Sequence, residues 1–283
     1  MKTAVSVWSF QRLIGRKELD HFTVLQKIKD YGFDAVEYID LYVPEGKTEE
    51  EYAREIRAEA DRLDLEISAY SLSCDLLNGS GGDLEKELER LYRKIDVAEI
   101  LGAKIVRHDI TPHPPKGYVG YVNLLPRFVE ASRKLCDYAT AKGIRTCTEN
   151  HGFFSQDSDR IVSLVNAVER ENFGLQVDIG NFICAGEDPA WAVGRCATYA
   201  FNVHLKDFIR KSGEIEKPEG FGMSRAGDFY RATVPGHGDI PIRQCINALK
   251  RIGYDGYLTV EFEGPEEIDY AMNASLKFIS TLL

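Results

Sequence analysis

Eight short runs rich in β-branched and aromatic residues alternate with longer stretches of helical periodicity from one end of the chain to the other. Such runs are typical of strands that are buried on both faces of a parallel sheet. The alternation constrains the fold strongly, because neighbouring parallel strands must be joined by a crossover, which is usually a helix. The predicted strands are 3–10, 34–39, 66–72, 104–110, 144–150, 173–180, 200–207 and 256–264.

The stretches between these runs carry the signals of amphipathic helices. In segment 82–103, apolar residues recur at steps of three and four, which places them on one face of a helix. Asp83 is predicted to cap this helix at its start, and Gly102 is predicted to end it. Further helices are predicted near 18–31, 48–63, 119–142, 157–170, 188–198, 240–252 and 265–281.

The number and size of these units favour a closed barrel. Eight units in 283 residues average about 35 residues each, which is the size expected for a (β/α)8 TIM barrel. An open, doubly wound sheet is the alternative, but the turn after the first strand lacks the G-x-G-x-x-G pattern that often marks such sheets. No low-complexity linker divides the chain. We therefore predict an α/β fold in which residues 1–283 form a single TIM-barrel domain.

The overall charge argues against a nucleic-acid-binding protein. The formal net charge is −10 and the isoelectric point about 5.2, whereas nucleic-acid binders usually carry a clustered basic surface. Six cysteines without a C-x-x-C pair indicate free thiols in a reducing compartment. The N-terminal apolar run is too short for a signal peptide, and no run approaches the ~20 apolar residues of a membrane span. We expect a cytoplasmic protein with no nucleic-acid or membrane partner.

Four consecutive predicted strands end in a residue that can bind a metal ion: Glu149, Asp178, His204 and Glu261. The carboxyl ends of barrel strands meet at one rim, so these side chains are expected to converge. Three converging carboxylates repel one another unless a cation neutralises them, although ion pairs with rim lysines and arginines are the alternative. Oxygen-rich ligation with one imidazole favours Mn²⁺, with Mg²⁺, Co²⁺ or Zn²⁺ also compatible.

Other polar and aromatic residues near the predicted strand ends are candidate substrate contacts. Trp8 can wall a pocket or pack in the barrel, and Glu37 can face the pocket or pair with Arg107. His108 and His151 can each bind substrate, although hydrogen bonding to a carboxylate or packing in a loop would explain them equally well.

A lysine and a long loop complete the set of candidates near the rim. Lys206 can neutralise a phosphate or carboxylate of a substrate, or balance neighbouring acids. The segment 208–233 is rich in glycine and charge and is predicted to be a long loop that closes over the site.

In this order, the strand-end motifs resemble those of the sugar isomerase/epimerase family with the xylose-isomerase-like barrel. That family includes ketose 3-epimerases, hydroxypyruvate isomerases and inosose dehydratases. The resemblance covers essentially the whole chain. The motifs that carry it are TENHG at 148–152, VDIGN at 177–181, VHLKD at 203–207, VPGHGDI at 234–240 and VEFEG at 260–264.

The resemblance implies that the four strand-end residues bind one metal ion, with Glu149 and Glu261 also serving as an acid/base pair. An arginine six residues after the metal-binding histidine contacts substrate in the epimerases, and Arg210 stands at that spacing from His204. The epimerases have histidine where this chain has Asn181. Asparagine can still hydrogen-bond a sugar hydroxyl, but it cannot exchange a proton near neutral pH.

The function predicted from these residues is a metal-dependent isomerase or epimerase of a sugar or sugar-like keto compound. Proton transfer by Glu149 and Glu261 would pass through a metal-stabilised enediolate. Asn181 and His151 keep open a metal-dependent dehydratase or lyase that acts on an inosose or keto-sugar. We expect a small sugar-like substrate and a possible homo-oligomer.

Two further classes of protein fit the chain less well. An endonuclease IV-like nuclease clusters three zinc ions, and six histidines with a net charge of −10 supply neither the ligands nor the basic surface. A non-catalytic sugar-binding module would not need two glutamates beside a metal ion.

Overall fold

The computed structural model describes residues 1–112, 117 and 120–283. Eight of its strands are parallel and close into a barrel in the spatial order β1, β11, β7, β6, β5, β4, β3, β2, which confirms the (β/α)8 prediction. The strands are β1 Lys2–Ser6, β2 Ala35–Ile39, β3 Glu66–Leu72, β4 Ile105–His108, β5 Arg145–Glu149, β6 Phe173–Asp178, β7 Ala200–Leu205, β8 Asp207–Lys211, β9 Gly222–Met223, β10 Phe229–Thr233 and β11 Tyr257–Val260.

Helices surround the barrel and connect its strands. They are α1 Gln11–Gly15, α2 Val24–Tyr31, α3 Glu49–Arg62, α4 Leu84–Leu101, α5 Tyr121–Thr140, α6 Ser158–Val168, α7 Asn181–Cys184, α8 Pro189–Cys196, α9 Ile242–Arg251 and α10 Ile268–Ser280. Short 3-10 helices lie at Val7–Phe10, Gly79–Gly82 and Ala197–Tyr199. None of the helices described has the length and hydropathy that a bilayer crossing requires.

The end signals that were read from the sequence around α4 are present in the structure. The Asp83 side chain accepts a hydrogen bond from the Lys86 backbone N–H, and Gly102 has a φ of 77°, in the left-handed region that glycine adopts readily. The first predicted strand, 3–10, is too long because Ser6 accepts a hydrogen bond from the Trp8 N–H and starts a 3-10 turn. The predicted helix 119–142 is observed from Tyr121 onward, and residue 119 lies outside the described residues.

The segment 208–233 is not the irregular loop that its composition predicted. With Asp207, it forms a three-stranded antiparallel sheet in the order β8, β10, β9. Arg210 on β8 pairs with Asp228, which precedes β10. The Arg225 guanidinium, in the turn before β10, reaches the loop after β5 and contacts Asp157 and the Phe153 carbonyl. The added sheet therefore ties the end of β7 to the loop after β5.

Asp207 organises the glycine-rich segment that follows the added sheet. Its two carboxylate oxygens accept hydrogen bonds from the backbone N–H groups of Phe208, Gly236, Gly238 and Ile240, at 2.8–3.2 Å. A Cβ atom on Gly238 would lie 2.2 Å from Asp207 Oδ1, so the close approach requires glycine. The Asp239 carboxylate in this segment accepts a hydrogen bond from the Arg210 N–H.

The core fills the space between the barrel and the helices, and all six cysteines lie within the described ranges as buried free thiols. His21 is a titratable residue in the buried part of the protein, with only 1% of its surface exposed. Its ring lies 4.8 Å from the Tyr42 ring and 5.9 Å from the Tyr38 ring. Neither ring nitrogen has a hydrogen-bond partner among the described residues. Burial therefore lowers the pKa of His21 to about 4.

The depressed pKa of His21 predicts a loss of stability in mild acid. The unfolded chain takes up a proton at His21 near pH 6.5, whereas the folded chain does so only near pH 4. The contribution of His21 to the free energy of unfolding is therefore fully present above pH 6.5 and is lost as the pH falls towards 4. Between pH 7 and pH 5 this one group should lower the unfolding free energy by about 2 kcal/mol. We expect His21→Phe to remove that part of the decrease when urea unfolding is measured at both pH values. The exposed His237→Phe is the matched control, and an unchanged decrease in His21→Phe would contradict the assignment.

Candidate active site

A cavity of about 260 Å³ opens at the carboxyl ends of the barrel strands. Side chains from at least five strands or their following loops line it, including Glu37, Arg107, Glu149, His204 and Glu261. The wall on the side of β1 and β2 also includes Trp8 and Tyr42. The cavity therefore lies at the strand ends, where the sequence analysis placed its candidate site residues.

The four residues predicted as metal ligands converge in the structure. One ligand atom from each of Glu149, Asp178, His204 and Glu261 lies within 4.8 Å of the corresponding atoms of the other three. His204 Nδ1 is 3.4 Å from Glu261 Oε2, 3.8 Å from Glu149 Oε1 and 4.0 Å from Asp178 Oδ2. These separations suit atoms that share one ion, since metal–ligand distances for nitrogen and oxygen are about 2.0–2.2 Å.

Two buried atoms in this cluster lack hydrogen-bond partners in the described part of the chain. They are Asp178 Oδ2 and His204 Nδ1. An unpaired buried polar atom is costly, so two of them facing the same point indicate that a bound group belongs there. The donor set of three carboxylates and one imidazole fits a divalent cation. The residues present therefore form a candidate metal site.

Glu37 orients the histidine of this cluster from across the barrel. Its two carboxylate oxygens lie 2.9 and 2.8 Å from His204 Nε2, and it also accepts from Ser71 and Asn202. A carboxylate at Nε2 holds the proton on that nitrogen and leaves Nδ1 as the electron-pair donor. Glu37 thus supports the site, but it pairs with His204 and not with Arg107.

Both carboxylate oxygens of Glu149 accept hydrogen bonds from neighbouring side chains. Oε2 accepts from Arg107 at 2.7 Å and from Gln176 at 2.9 Å, while Oε1 accepts from Asn181 at 3.1 Å. Gln176 in turn accepts from Asn202, so the network continues into the barrel interior. These contacts give Glu149 one orientation and leave it little freedom to move.

Glu261 shares its cationic partner with two other acids. Lys206 Nζ lies 2.5 Å from Glu261 Oε2, and 3.4 Å from both Asp178 Oδ2 and Glu263 Oε2. Trp8 donates its indole N–H to Glu263 at 2.7 Å. The structure therefore supports the interpretation that Lys206 balances acids, and it places Trp8 on the cavity wall.

The sequence ENH at 149–151 combines three different tasks. Asn150 is fully buried, and its amide group bridges the backbone N–H and C=O of Asp178 on the neighbouring strand. His151 lines the cavity with 43% of its side chain exposed, and its Nδ1 lies 3.0 Å from Asp109 Oδ1. Asp109 is also bound by Arg107, which connects His151 to Glu149 through two ion pairs.

Three predicted substrate contacts do not line the cavity, and one of them, Asn181, donates its side-chain N–H to Glu149 instead. His108 faces the helix layer, where its ring lies 6.0 Å from the Phe173 ring, because successive residues of β4 point to opposite sides and Arg107 takes the inward position. Arg210 lies on β8, where its pairing with Asp228 directs it to a second cavity that includes Glu187 and Asp239. The spacing of Arg210 from His204 does not place its guanidinium at the metal cluster.

Several residues of the site were not identified from the sequence: Arg107, Asp109, Gln176, Asn202 and Glu263. Counting alternate residues along each strand would have found most of them. Arg107 on β4 is two residues before Asp109, which directly follows that strand, and Gln176 and Asp178 are two residues apart on β6. Side chains at that spacing share one face of a strand, and here the face is the barrel interior.

The clustering of charges shifts the pKa of each carboxyl group differently. Burial raises the pKa of Asp178 to about 7, with Lys206 opposing the shift and the other two carboxylates adding to it. Burial acts in the same direction on Glu149, but Arg107 and His204 outweigh it and hold the pKa of that carboxyl below its usual range. Lys206 and His204 lower the pKa of Glu261 well below its usual range, again against the effect of burial. The neighbouring Asp109 raises the pKa of His151.

Comparison with known proteins agrees with the barrel fold. A family model described as xylose isomerase-like TIM barrel matches residues 25–282. An inosose dehydratase of Bacillus cereus is 26% identical over 211 residues, which are 69% of this chain and 70% of that protein. An inosose dehydratase of Clostridium tetani is 29% identical over 146 residues, which span 50% of this chain and about half of that relative's length.

Solved structures show the same fold at lower sequence identity. The IolI protein with a bound zinc atom superposes with a TM-score of 0.77 and 18% identity, covering 100% of this chain and 98% of that one. A D-psicose 3-epimerase of Clostridium cellulolyticum, solved with D-tagatose, gives a TM-score of 0.75 and 18% identity, covering 100% and 99% of the two chains.

The convergence of the four ligands predicts that metal affinity depends on Asp178 and Glu37 in different degrees. Asp178→Asn should abolish tight Mn²⁺ binding, because it removes the charge of a ligand while retaining a side chain of the same shape. Glu37→Gln leaves the ligands intact but weakens the hold on His204, and we expect a loss of about tenfold. Calorimetric titration of the metal-free protein measures both effects. Glu171→Gln, an exposed site in the loop before β6, is the control, and unaltered affinity in Asp178→Asn would exclude this cluster as the metal site.

Proposed function

Because this chain belongs to the family of xylose isomerase-like TIM barrels, we propose that it is a divalent-metal-dependent dehydratase that removes water from a polyhydroxy ketone. The observation that carries this proposal is the pairing of His151 with Asp109 at the cavity wall, next to a Glu149 whose oxygens are already engaged. The similarity to proteins named inosose dehydratases supports the same reaction. It makes an inosose-like compound the first substrate to test.

The metal ion would be held by Glu149, Asp178, His204 and Glu261. When bound, a divalent ion supplies Lewis-acid polarisation of the carbonyl oxygen of a ketone. Mn²⁺ is our first choice of ion, because the ligand set is oxygen-rich with a single imidazole.

His151 has the surroundings of a proton-transfer residue. Its Nδ1 is hydrogen-bonded to the Asp109 carboxylate, which orients the ring, and no described protein group contacts its Nε2. An imidazole that is oriented in this way presents the other nitrogen as a general acid or base. The half-exposed ring lines the cavity beside Glu149, so Nε2 is available to a bound molecule.

Glu261 is better placed to accept a proton than Glu149. The contacts of Glu261 with His204 and Lys206 are made by Oε2, and Oε1 has no partner among the described protein groups. Both oxygens of Glu149 accept hydrogen bonds from Arg107, Gln176 or Asn181. We therefore assign Glu149 to metal binding and Glu261 to proton removal, which changes the symmetric acid/base pair suggested by the sequence.

In the proposed elimination of water, Glu261 acts as the base and His151 as the acid. Glu261 removes the proton from the carbon next to the ketone carbonyl, and the electrons of the C–H bond form a carbon–carbon double bond. The C–O bond at the next carbon breaks, and His151 protonates the departing hydroxyl, which leaves as water. The products are an unsaturated ketone and water. Solvent returns His151 and Glu261 to their starting protonation states.

Isomerisation or epimerisation is the second candidate function. It is favoured by the approach of Glu149 and Glu261 to one point from two different strands, and by the similar fold of a D-psicose 3-epimerase. A reaction of this type requires Glu149 to exchange a proton, and so to release at least one of its present partners. Asn181 cannot take over that proton transfer, because an amide does not titrate near neutral pH.

The proposal predicts that His151→Gln abolishes water elimination and retains metal binding. Mn²⁺-loaded protein is incubated with an inosose, D-tagatose and D-fructose in D₂O, and the products are followed by NMR. We expect loss of water from the inosose, slowed at least about 10²-fold in His151→Gln because its general acid is missing. Affinity for Mn²⁺ should change less than about threefold, since His151 is not one of the four ligands.

The same experiment distinguishes the two candidate functions. His237→Gln, on an exposed loop, is the matched control and should react at the unaltered rate. Deuterium incorporation next to the carbonyl with an epimer or isomer as product, and no water lost, would replace the dehydratase assignment with the second candidate. Full elimination activity in His151→Gln would contradict the role given to that residue.

A further inference from the structure

We infer that the cavity selects an uncharged polyhydroxy compound of the size of a single ring and rejects its phosphorylated or carboxylated derivatives. The inference rests on the proposed function only for the identity of the reacting ketone, because selectivity of binding can be measured without turnover. It follows from the charges on the cavity wall, from the partners of each cationic group, and from the volume and surface of the cavity.

The wall of the cavity carries more negative than positive charge. Two strong cations face it, Arg107 and Lys206, together with two imidazoles. A divalent ion would offset only part of the excess. The lining carboxylates number six: Glu37, Asp40, Asp109, Glu149, Glu261 and Glu263.

Arg107 already directs its two parallel terminal N–H groups at a carboxylate of the protein. Its Nη1 and Nη2 bind the two oxygens of Asp109 at 3.3 and 2.8 Å, and Nη2 also binds Glu149 at 2.7 Å. The second hydrogen of Nη1 and the N–H of Nε remain, and Nε is buried without a hydrogen-bond partner among the described residues. An arginine that recognises phosphate or carboxylate normally presents two parallel N–H groups, and both terminal groups of Arg107 are already used in this way.

Lys206 is similarly occupied. Lys206 is buried, and its ammonium group lies within 3.4 Å of carboxylate oxygens from Glu261, Asp178 and Glu263. Three acids around one lysine more than neutralise its charge. A phosphate that approached Lys206 would meet those carboxylates at the same distance, and the like charges would repel it.

Backbone groups that could bind an anion are also engaged. The N–H groups of Gly180 and Asn181, at the start of α7, donate to Asp178 Oδ1 at 2.8 and 3.0 Å. Helix starts of this kind often bind phosphate. In this chain the protein's own carboxylate takes that position.

The remaining surface suits hydroxyl groups and an apolar ring face. Asp40, Asp109 and Glu263 supply acceptor oxygens that sugar hydroxyls can donate to, and Ser73 lies among them. Trp8 and Tyr42 add aromatic surface at the opening, with 41% and 51% of their surfaces exposed. A volume of about 260 Å³ is below the range of about 300–1,000 Å³ that holds drug-sized ligands. It matches one six-membered ring and not a disaccharide.

The test compares matched pairs of ligands by isothermal titration calorimetry on the Mn²⁺-loaded full chain, at constant free Mn²⁺. The pairs are an inosose and its phosphate monoester, and D-tagatose and D-tagatose 6-phosphate. We expect the neutral member of each pair to bind at least about tenfold more tightly, because like charges disfavour the ester. Glu263→Gln removes one acid from Lys206, and it should reduce that preference about threefold or more. Glu171→Gln, which makes the same change of charge in the loop before β6, should leave the preference as it is.

Binding and turnover in these measurements separate the two hypotheses. Equal or tighter binding of the phosphate esters overturns the selectivity, whether or not water is eliminated. If Glu171→Gln reduces the preference for neutral ligands as much as Glu263→Gln does, the preference does not arise from the charges of the cavity, and the inference is overturned. A preference that only Glu263→Gln reduces supports the inference even if no ligand is dehydrated, and in that case the proposed reaction fails and the selectivity stands.

Discussion

The need to compensate buried carboxylates shapes this end of the barrel. Four carboxylates lie within one connected network: Glu37, Glu149 and Asp178, which are buried, and Glu261, whose side chain is 13% exposed. An ionised carboxylate in such surroundings is strongly destabilising unless it is paired or hydrogen-bonded. Arg107, Lys206 and a set of amide groups supply most of the compensation. Asp178 Oδ2 and His204 Nδ1 still have no hydrogen-bond partner among the described residues, and a divalent cation would complete the compensation at this point.

The fold and the metal cluster were predictable because both depend on patterns that are local in sequence. The alternation of strand and helix signals gave the barrel, and the barrel implies that strand ends meet. Glu149, Asp178 and Glu261 each stand at or directly after the end of a strand, so a rule about strand ends was enough to find them. His204 followed from the same rule on β7, where it precedes the last residue.

The rest of the site depends on contacts between strands that are distant in sequence. Glu37 and His204 are 167 residues apart, and nothing near either residue indicates the pairing. Near the end of β4, the alternation of side chains decides which of them face the site. His108 was predicted to contact substrate, but Arg107 and Asp109, on either side of it, hold the inward positions. The pairing of β8 with β10, which moves Arg210 away from the cluster, is also a non-local effect that spacing along the chain cannot show.

The division of roles between Glu149 and Glu261 follows from their neighbours and not from their residue type. Two glutamates in equivalent strand-end positions differ because one accepts from an arginine and two amides, whereas the other keeps an oxygen clear of protein contacts. The same principle applies to ENH at 149–151, where adjacent residues are a candidate ligand, a backbone bridge and part of the cavity wall. In this barrel the surroundings of each side chain are set by contacts with neighbouring strands.

Asp207 binds its loop only through main-chain N–H groups. These hydrogen bonds depend on the path of the backbone and are independent of most side chains. Apart from the glycines at 236 and 238, where a Cβ atom would clash, the loop is therefore free to accept substitutions at position 237 while following the same course. A segment whose backbone path is fixed but whose exposed side chains are not can change in sequence without destabilising the barrel. We therefore expect related proteins to differ first in the outer contacts of this loop.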